Sequence, residues 1–422
     1  MTVRLLLANA LELVVGVGVA TLLRAPLGTA YLLGLAVVGI VSAHLALVHV
    51  PAGWPALAIL AVLAVPFARR VRLRPRVGTP ASWVGIAAFA ALLVRSWPTF
   101  AAKPLDDYDG WAIWGMKGKA LMQLGWANPA LFANEAAKPA HLDYPLLLPS
   151  LEAVAARAMG GFDSRLIHLQ FLLFAVAGVA ALHALLRERV RSWLLWPGLL
   201  ALAVAPAFTG QLLTAYADIP LALFVAAGLL AAAHWLEDGE PRTLALAALF
   251  FAAAALTKNE GLIFVAAALV GLLLASRRWR PLLVALAGIE AALLPWQIWL
   301  AVHHIHTDTL LSARSLHVQH PGIGPLALHA LLDRALSLQA WPLLLPLFLL
   351  AVLAAAGSRI AVFAWAWALI SVCGLAWIYV VSKNEWSNYF AYSGNRVVDS
   401  LVVGAAALTP LLAAEALRIA RR

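Results

Sequence analysis

The sequence predicts an all-α, polytopic membrane protein, and two observations carry that prediction. Hydrophobic residues make up 64% of the 422 residues and charged residues only 12%, whereas soluble globular proteins have about 45–50% and about 25%. Apolar runs long enough to cross about 30 Å of hydrocarbon also recur along the whole chain. This composition excludes a soluble globular protein, and it excludes a disordered one because disorder requires low hydrophobicity.

Thirteen apolar runs are candidates for transmembrane helices. A helix needs about 20 predominantly apolar residues to span a bilayer, and the third, eighth and ninth runs are shorter than that. We therefore expect about 13 spans. The predicted spans are 5–22, 28–48, 53–67, 80–97, 165–186, 192–210, 217–235, 243–257, 261–276, 281–302, 341–357, 360–381 and 401–417.

Basic residues divide the connections between these runs into two sets. Seventeen of the 24 arginines lie in alternate connections, and all six lysines lie in the other set. Cytoplasmic loops accumulate basic residues, so the arginine-rich set is predicted to be cytoplasmic. The net charge of +10 is thus explained by topology, and no nucleic-acid partner is expected. The single cysteine, Cys373, excludes an intrachain disulfide.

The long connections fall on the predicted outer side, which is where we expect the function to lie. They are 98–164, 303–340 and 382–400. In the first of them, four large apolar residues recur at helical spacing: Trp111, Trp114, Leu121 and Leu124. This pattern predicts an amphipathic helix over 110–125 in the membrane interface, and a second such helix is predicted over 147–159.

The acidic segment Asp106, Asp107 and Asp109 is the densest group of charges in that loop. Three carboxylates within four residues repel one another, so a compensating partner is expected, either a metal ion such as Mg²⁺ or Mn²⁺ or the proton of an acceptor group. A carboxylate that takes up a proton is suited to act as a general base. The alternative is a solvated helix cap, which aspartate forms readily, but the flanking tryptophans favour a site.

Two further segments combine an acid with aromatic or turn-forming neighbours. One contains His141, Asp143 and Tyr144 and could equally be a turn before a helix. The other contains Tyr216 and Asp218 at the start of the predicted span 217–235, where Asp218 could instead be an N-terminal helix cap. Both segments lie on the predicted outer side.

Basic residues that could bind an anion occur at two predicted outer positions. Lys258 and Glu260 lie in a tight connection between two short spans, where ionisable groups at membrane depth are treated as functional. The alternative to a functional role is that Lys258 and Glu260 pair with each other in an ordinary turn. Arg396 precedes the last span, and its planar fork suits a phosphodiester, although an interfacial anchor has the same pattern.

In order and placement these clusters resemble the motifs of the GT-C superfamily of integral-membrane glycosyltransferases, which includes protein O-mannosyltransferases and aminoarabinose transferases. The resemblance extends over residues 90–400. The similar motifs are the acidic segment 106–109 with Trp111, Trp114 and Lys117 behind it, H-x-D-Y-P at 141–145, Y-x-D-x-P at 216–220, K-x-E-G at 258–261, and Arg396 before the closing span.

The resemblance implies an inverting glycosyltransferase that uses a polyprenyl-phosphate-linked sugar and an acceptor lipid, glycan or protein. It implies a site on the periplasmic or exterior face of a bacterial inner (plasma) membrane. Within the cluster of Asp106, Asp107 and Asp109, one of the last two would be the base, while Lys258 and Arg396 would bind the phosphate. No cofactor is certain, and Mg²⁺ or Mn²⁺ stays an alternative. The other implied substrate-binding residues are Trp111, Trp114, Lys117, His141, Asp143, Tyr144, Tyr216, Asp218 and Glu260.

The chain departs from the family pattern in its first third. Three predicted spans precede the acidic loop where the family usually has one. We therefore expect residues 1–78 to be an added transmembrane segment and 79–422 to be the catalytic module. A transporter or flippase is the alternative function. It is disfavoured because nearly all ionisable residues outside the arginine-rich set gather on one face rather than near mid-bilayer.

Overall fold

The structure is a computed structural model that describes residues 1–71, 79–305, 318–382 and 385–421. Within these ranges the chain forms nineteen α-helices and no β-strand, so the all-α prediction is confirmed. The helices are α1 (Thr2–Leu23), α2 (Ala30–Leu47), α3 (Trp54–Ala68), α4 (Pro80–Ala102), α5 (Met116–Leu124), α6 (Pro129–Phe132), α7 (Leu147–Met159), α8 (Ser164–Leu186), α9 (Ser192–Val204), α10 (Pro206–Thr214), α11 (Asp218–Asp238), α12 (Pro241–Thr257), α13 (Gly261–Ser276), α14 (Trp279–Val302), α15 (Ile323–Ala335), α16 (Leu344–Ala354), α17 (Arg359–Val381), α18 (Trp386–Val397) and α19 (Asp399–Ile419).

Eight helical segments among the described residues are long and apolar enough to cross a membrane, so the chain is a multi-pass membrane protein. A ninth candidate is the pair α9 and α10, which is bent by 50°. Four other predicted spans correspond to the shorter apolar helices α3, α12, α13 and α16. The number thirteen is therefore not confirmed, because helices of 11–17 residues can lie inside a bundle without crossing the bilayer alone.

Helix α11 lies at the centre of the bundle. It is almost entirely buried and packs against α8, α12, α13 and α19. Helices α1, α2 and α3 pack together, and the contacts of α2 with α7 and α8 join this group to the rest. Gly16 and Gly34 allow α1 and α2 to approach backbone to backbone, since a Cβ at Gly16 would lie 1.6 Å from the Ala30 carbonyl oxygen. The boundary at residue 78 stays a prediction, and it lies outside the described residues.

The first long connection contains helices where they were predicted, but the faces that these helices expose differ from the predicted ones. The segment Asp109–Gly115 is a π-helical turn that continues into α5. A π-helical turn adds a residue to each turn, so it breaks the 3.6-residue register. As a result Trp114 and Leu121 are buried, whereas Trp111 and Leu124 are exposed, and the single apolar face predicted for 110–125 is wrong.

The second helix of this connection, α7, has the predicted bounds but not the predicted surroundings. It packs against α2 and α5 and is buried on nearly every side, including the Glu152 carboxylate. An interfacial helix would keep its polar face in contact with water or lipid headgroups. The interpretation of α7 as an interfacial helix is therefore wrong, and it is instead a packed element beneath the connection.

Candidate functional site

One cavity in the structure combines charge, aromatic rings and a concave shape. It has a volume of about 820 Å³. A second cavity of about 680 Å³, beside α12 and α14, has Arg280 as its one charged lining residue among those described. Because ionisable groups in a membrane bundle are costly, we place the candidate site in the first cavity. Its lining residues are Tyr108, Asp109, Ile113, Trp114, His141, Tyr144, Gln211, Tyr216, Asp218, Lys258, Glu260, Glu385, Asn388, Tyr389, Tyr392, Ser393, Asn395 and Arg396.

The π-helical turn 109–115 brings Asp109 to the cavity wall. Such turns are rare in proteins, and those that do occur are frequently found at functional sites. The neighbouring Gly110 packs against the backbone that precedes α11. A Cβ added to Gly110 would lie 2.3 Å from the Thr214 carbonyl oxygen. A larger residue would push the turn away, so this glycine holds Asp109 close to the segment that carries Tyr216.

Arg396 is the ion-pair partner of Asp109. Its Nη1 donates a hydrogen bond to Asp109 Oδ2, and the two side chains are 16% and 20% exposed. The guanidinium also lies over the ring of Tyr216, with 4.6 Å between Cζ and the ring centroid. This cation–π contact is a second favourable interaction of the guanidinium, besides the ion pair with Asp109. Because 287 positions separate the two partners, the pair joins the early acidic segment to the last turn of α18.

The tight turn between α12 and α13 carries Lys258. Helix α12 ends at Thr257, and Lys258 has an extended backbone with φ −157° and ψ 150°. Helix α13 begins at Gly261, and a Cβ added to this residue would lie 2.4 Å from the Ala254 carbonyl oxygen. Only glycine allows the two helices to approach this closely, and their contact keeps the turn buried in the bundle.

Two carboxylates hold the Lys258 ammonium. Its Nζ lies 2.8 Å from Asp218 Oδ1 and 3.1 Å from Glu260 Oε1. The three side chains are 5–9% exposed, so the pairing takes place in a low-dielectric environment where it is strong. The mutual Lys258–Glu260 pair considered as an alternative is thus present, but Asp218 shares it and all three residues line the cavity.

Stacked rings form one wall of the cavity. Tyr144 lies between Trp114 and His141, with centroid separations of 5.4 Å and 4.7 Å. Burial and the nearby Lys117 ammonium lower the pKa of His141, which is therefore neutral near pH 7. Burial also raises the pKa of the Tyr144 hydroxyl. These uncharged rings line the same cavity as the ion pairs, and Lys258 Nζ lies 5.9 Å from the centroid of the Tyr144 ring.

Lys117 supports that wall from beneath rather than lining the cavity. Its Nζ donates hydrogen bonds to the carbonyl oxygens of His141 at 2.5 Å and of Tyr144 at 3.5 Å. Burial lowers the pKa of Lys117 to about 7, and the Asp143 carboxylate opposes that shift. Asp143 Oδ2 accepts a hydrogen bond of 2.8 Å from Asn259 Nδ2. The 141–144 segment is therefore fixed both to α5 and to the lysine turn.

Five predicted site residues do not line the cavity: Lys117 and Asp143, which hold its aromatic wall from behind, and Asp106, Asp107 and Trp111. Asp106 and Asp107 pair instead with Lys103, at 2.7 Å and 2.8 Å, and Asp106 is 57% exposed. Trp111 is exposed and contacts Lys119. The acidic segment is thus divided by ion pairs with two different cations. Among the described residues no three histidine, cysteine or acidic side chains come together in a geometry that could hold a metal ion.

Several cavity residues were not predicted from the sequence. Two of them, Tyr389 and Tyr392, recur at helical spacing with Arg396, which was predicted. This spacing would have indicated one face of a helix, but α18 is too polar for a search based on hydropathy. Together with Tyr108, Tyr144 and Tyr216, the two residues bring five of the seven tyrosines of the chain to this cavity. The scarcity of tyrosine elsewhere is the signal that could have revealed the clustering.

Comparison with known proteins supports the resemblance seen in the motifs. Residues 143–301 match the model of the dolichyl-phosphate-mannose-protein mannosyltransferase family. The matching model is that of a GT-C-type glycosyltransferase domain. The GT-C match covers fewer than half of the residues. It includes Asp218, Lys258 and Glu260, while Asp109 and Arg396 lie outside it. No curated protein and no solved structure matches the chain.

Proposed function

We propose that this chain transfers a hexosyl or pentosyl group from a polyprenyl-phosphate-linked donor to an acceptor hydroxyl, with inversion, at the outer face of a bacterial plasma membrane. One observation carries the proposal. A single cavity combines Lys258 and Arg396, carboxylates close to both cations, and five tyrosines. Cations suit a phosphate, aromatic faces suit the C–H faces of a sugar, and a carboxylate suits proton abstraction.

In the proposed reaction the acceptor oxygen attacks the anomeric carbon of the donor while the bond from that carbon to the phosphate oxygen breaks. Asp109 takes the acceptor proton, and the electron pair of the broken bond remains on the leaving polyprenyl phosphate. Lys258 and Arg396 offset the negative charge that develops on the phosphate. A single displacement of this kind inverts the anomeric centre.

Asp109 is the favoured base because it is the one acid of the segment 106–109 that lines the cavity. Asp218 and Glu260 are less suited because they are more buried than Asp109, at 5% and 9% exposure against 20%, and share one lysine ammonium. We propose that these two acids position Lys258. His141, Tyr144 and Trp114 provide a flat wall for a sugar ring, while Lys117 and Asp143 hold that wall in place.

The proposal is tested by reconstituting the full chain in liposomes with radiolabelled polyprenyl-phosphate-linked sugars and membrane extract as the source of acceptor. Wild-type protein should transfer label to acceptor and release polyprenyl phosphate. Asp109→Asn should lose the transfer, and Asp333→Asn, which changes an exposed acid paired with His329 on α15, should retain it. Flux of donor across the bilayer with no covalent product would instead support a flippase.

A further inference from the structure

The ion pairs of the cavity pose a problem for binding any phosphate. Among the described lining residues, four are carboxylates, those of Asp109, Asp218, Glu260 and Glu385, and two are cations, Lys258 and Arg396. Both cations are already paired, Lys258 with two acids and Arg396 with Asp109. An anionic ligand that binds one of these cations also meets the carboxylate already paired with it, so that cation has to leave its partner.

Arg396 is the cation better suited to change partner. Lys258 is 7% exposed, is held by Asp218 and Glu260, and its departure would leave two buried carboxylates unpaired, which is strongly unfavourable. Arg396 is bound through Nη1 to a single, more accessible carboxylate, Asp109. A guanidinium has five N–H donors. In Arg396, Nη1 donates to Asp109 and Nε donates to the Tyr392 carbonyl oxygen at 3.3 Å, so Nη2 is the group that these two bonds leave for a phosphate.

The ring of Tyr216 provides a platform for such a movement. The guanidinium of Arg396 lies 4.6 Å from the ring centroid. A cation–π contact is tolerant of sliding across the ring face, because the attraction comes from the whole quadrupole rather than from one atom. Arg396 is in the last turn of α18, so a rotation of its side chain needs no displacement of the helix.

We propose that Arg396 exchanges partners when the donor arrives, leaving Asp109 for the donor phosphate and so releasing the Asp109 carboxylate to accept the acceptor proton. This inference rests on the proposed glycosyl transfer and adds an order of events to it. Before the donor binds, a lone pair of Asp109 is occupied by Arg396. After it binds, the same guanidinium that activates the leaving group has uncovered the base.

Binding of farnesyl phosphate to the detergent-solubilised full chain tests the exchange, with farnesol as the uncharged control. In Asp109→Asn the arginine has no carboxylate partner to leave, so the dissociation constant for farnesyl phosphate should fall about 5- to 10-fold, which corresponds to the energy of one partly exposed ion pair. Farnesol binding should not change. Asp109→Glu, which keeps the ion pair, should bind farnesyl phosphate as wild type does.

A matched variant separates partner exchange from a general loss of negative charge. Glu385→Gln removes another carboxylate of the same cavity, one that hydrogen-bonds Ser387 and Asn388 rather than Arg396. It should tighten binding by less than about 2-fold, since an exposed charge is screened by solvent. In an Arg396→Gln background Asp109→Asn should have no further effect, because the two changes act through one contact.

Three outcomes overturn the exchange. The first is that Glu385→Gln and Asp109→Asn lower the dissociation constant for farnesyl phosphate equally. The second is that Asp109→Asn leaves this constant unchanged, and the third is that Asp109→Asn lowers it as much in the Arg396→Gln background as in the wild type. If wild-type protein binds farnesyl phosphate no better than farnesol, the cavity does not recognise a phosphate. That result would overturn the proposed donor class and the exchange with it, whereas the first three outcomes leave the donor class intact. Thermal unfolding of each variant confirms that it is folded.

Discussion

The two halves of the acidic segment 106–109 have the same chemistry and opposite surroundings. Asp106 and Asp107 pair with Lys103 at the surface, where Asp106 is 57% exposed. Asp109, two positions later, pairs with Arg396 inside the cavity and is 20% exposed. The comparison teaches that a dense acidic motif is not one functional unit. The π-helical turn that begins at Asp109 separates an exposed surface cluster from a cavity acid.

Removing the cavity acid should have the largest effect. Asp109→Asn is expected to lower glycosyl transfer about 10²- to 10⁴-fold, because the acceptor proton then has no positioned base. The rate is measured in proteoliposomes at saturating donor. Asp107→Asn is the matched change in the surface cluster. If the two variants lose transfer to a similar extent, the distinction between the cavity acid and the surface pair is wrong.

Changing the cation of the cavity pair should have the next largest effect. Arg396→Lys keeps the positive charge but replaces the planar fork, which can bind phosphate through two N–H groups, by a point charge. We expect transfer to fall about 10- to 100-fold, corresponding to about 1.5–3 kcal/mol for charge-assisted hydrogen bonds. This fall is measured from initial rates of transfer at several donor concentrations. Full activity of Arg396→Lys would show that the donor phosphate is not bound through two N–H groups of Arg396.

Lys117 gives a prediction about pH. Burial lowers its pKa to about 7 in the folded protein, whereas an unfolded lysine titrates near 10.5. Between these values the unfolded chain binds more protons, so the stability of the folded state should rise with pH from about 7 toward 10. Below pH 7 both states are protonated and this contribution becomes constant.

Thermal unfolding in detergent between pH 7 and 9 measures that slope. Lys117→Met should be less stable overall, because it loses the hydrogen bonds to the His141 and Tyr144 carbonyls. Its melting temperature should nevertheless depend less on pH than that of the wild type. Lys119→Met, which changes a lysine of the same helix that lies over Trp111, should retain the wild-type slope. Identical slopes in all three proteins would contradict the assignment.

The smallest effect is expected in the surface cluster. Lys103→Gln removes the partner of Asp106 and Asp107, but exposed ion pairs contribute about 0–1 kcal/mol. Transfer should therefore change by less than about 2-fold, and the melting temperature by no more than a few degrees. A loss of transfer comparable to that of Arg396→Lys would mean that Lys103 serves the reaction.

Hydropathy was sufficient to predict the long helices. The apolar runs 165–186, 261–276 and 360–381 correspond to α8, α13 and α17 within one residue at each end. Long apolar segments leave the chain little choice, since each must satisfy its own backbone hydrogen bonds. Helix α18 was missed within the predicted connection 382–400 because its residues are polar and aromatic, and its stability comes from packing against α15, α17 and α19.

The candidate site was predictable in its residues but not in its pairings. The sequence indicated Asp109, Lys258 and Arg396 by residue type and by their common side of the membrane. It did not indicate which acid meets which cation, because partners such as Asp109 and Arg396 are 287 positions apart. The π-helical turn also shifts Trp111 away from Trp114, and no 3.6-residue pattern encodes that shift. Long-range packing decides both points.

The most direct test of the central claim is a cryo-electron microscopy structure of the full chain in nanodiscs with a polyprenyl phosphate. The claim is that the cavity cluster binds the phosphate of a lipid-linked sugar. We predict phosphate density within about 3.5 Å of Lys258 Nζ and of the Arg396 guanidinium, with Arg396 no longer bonded to Asp109. The alternative basic pocket contains Arg189, Arg191, Arg418 and Arg421. Phosphate density there, with the Asp109–Arg396 pair intact and the cavity without lipid, would contradict the account.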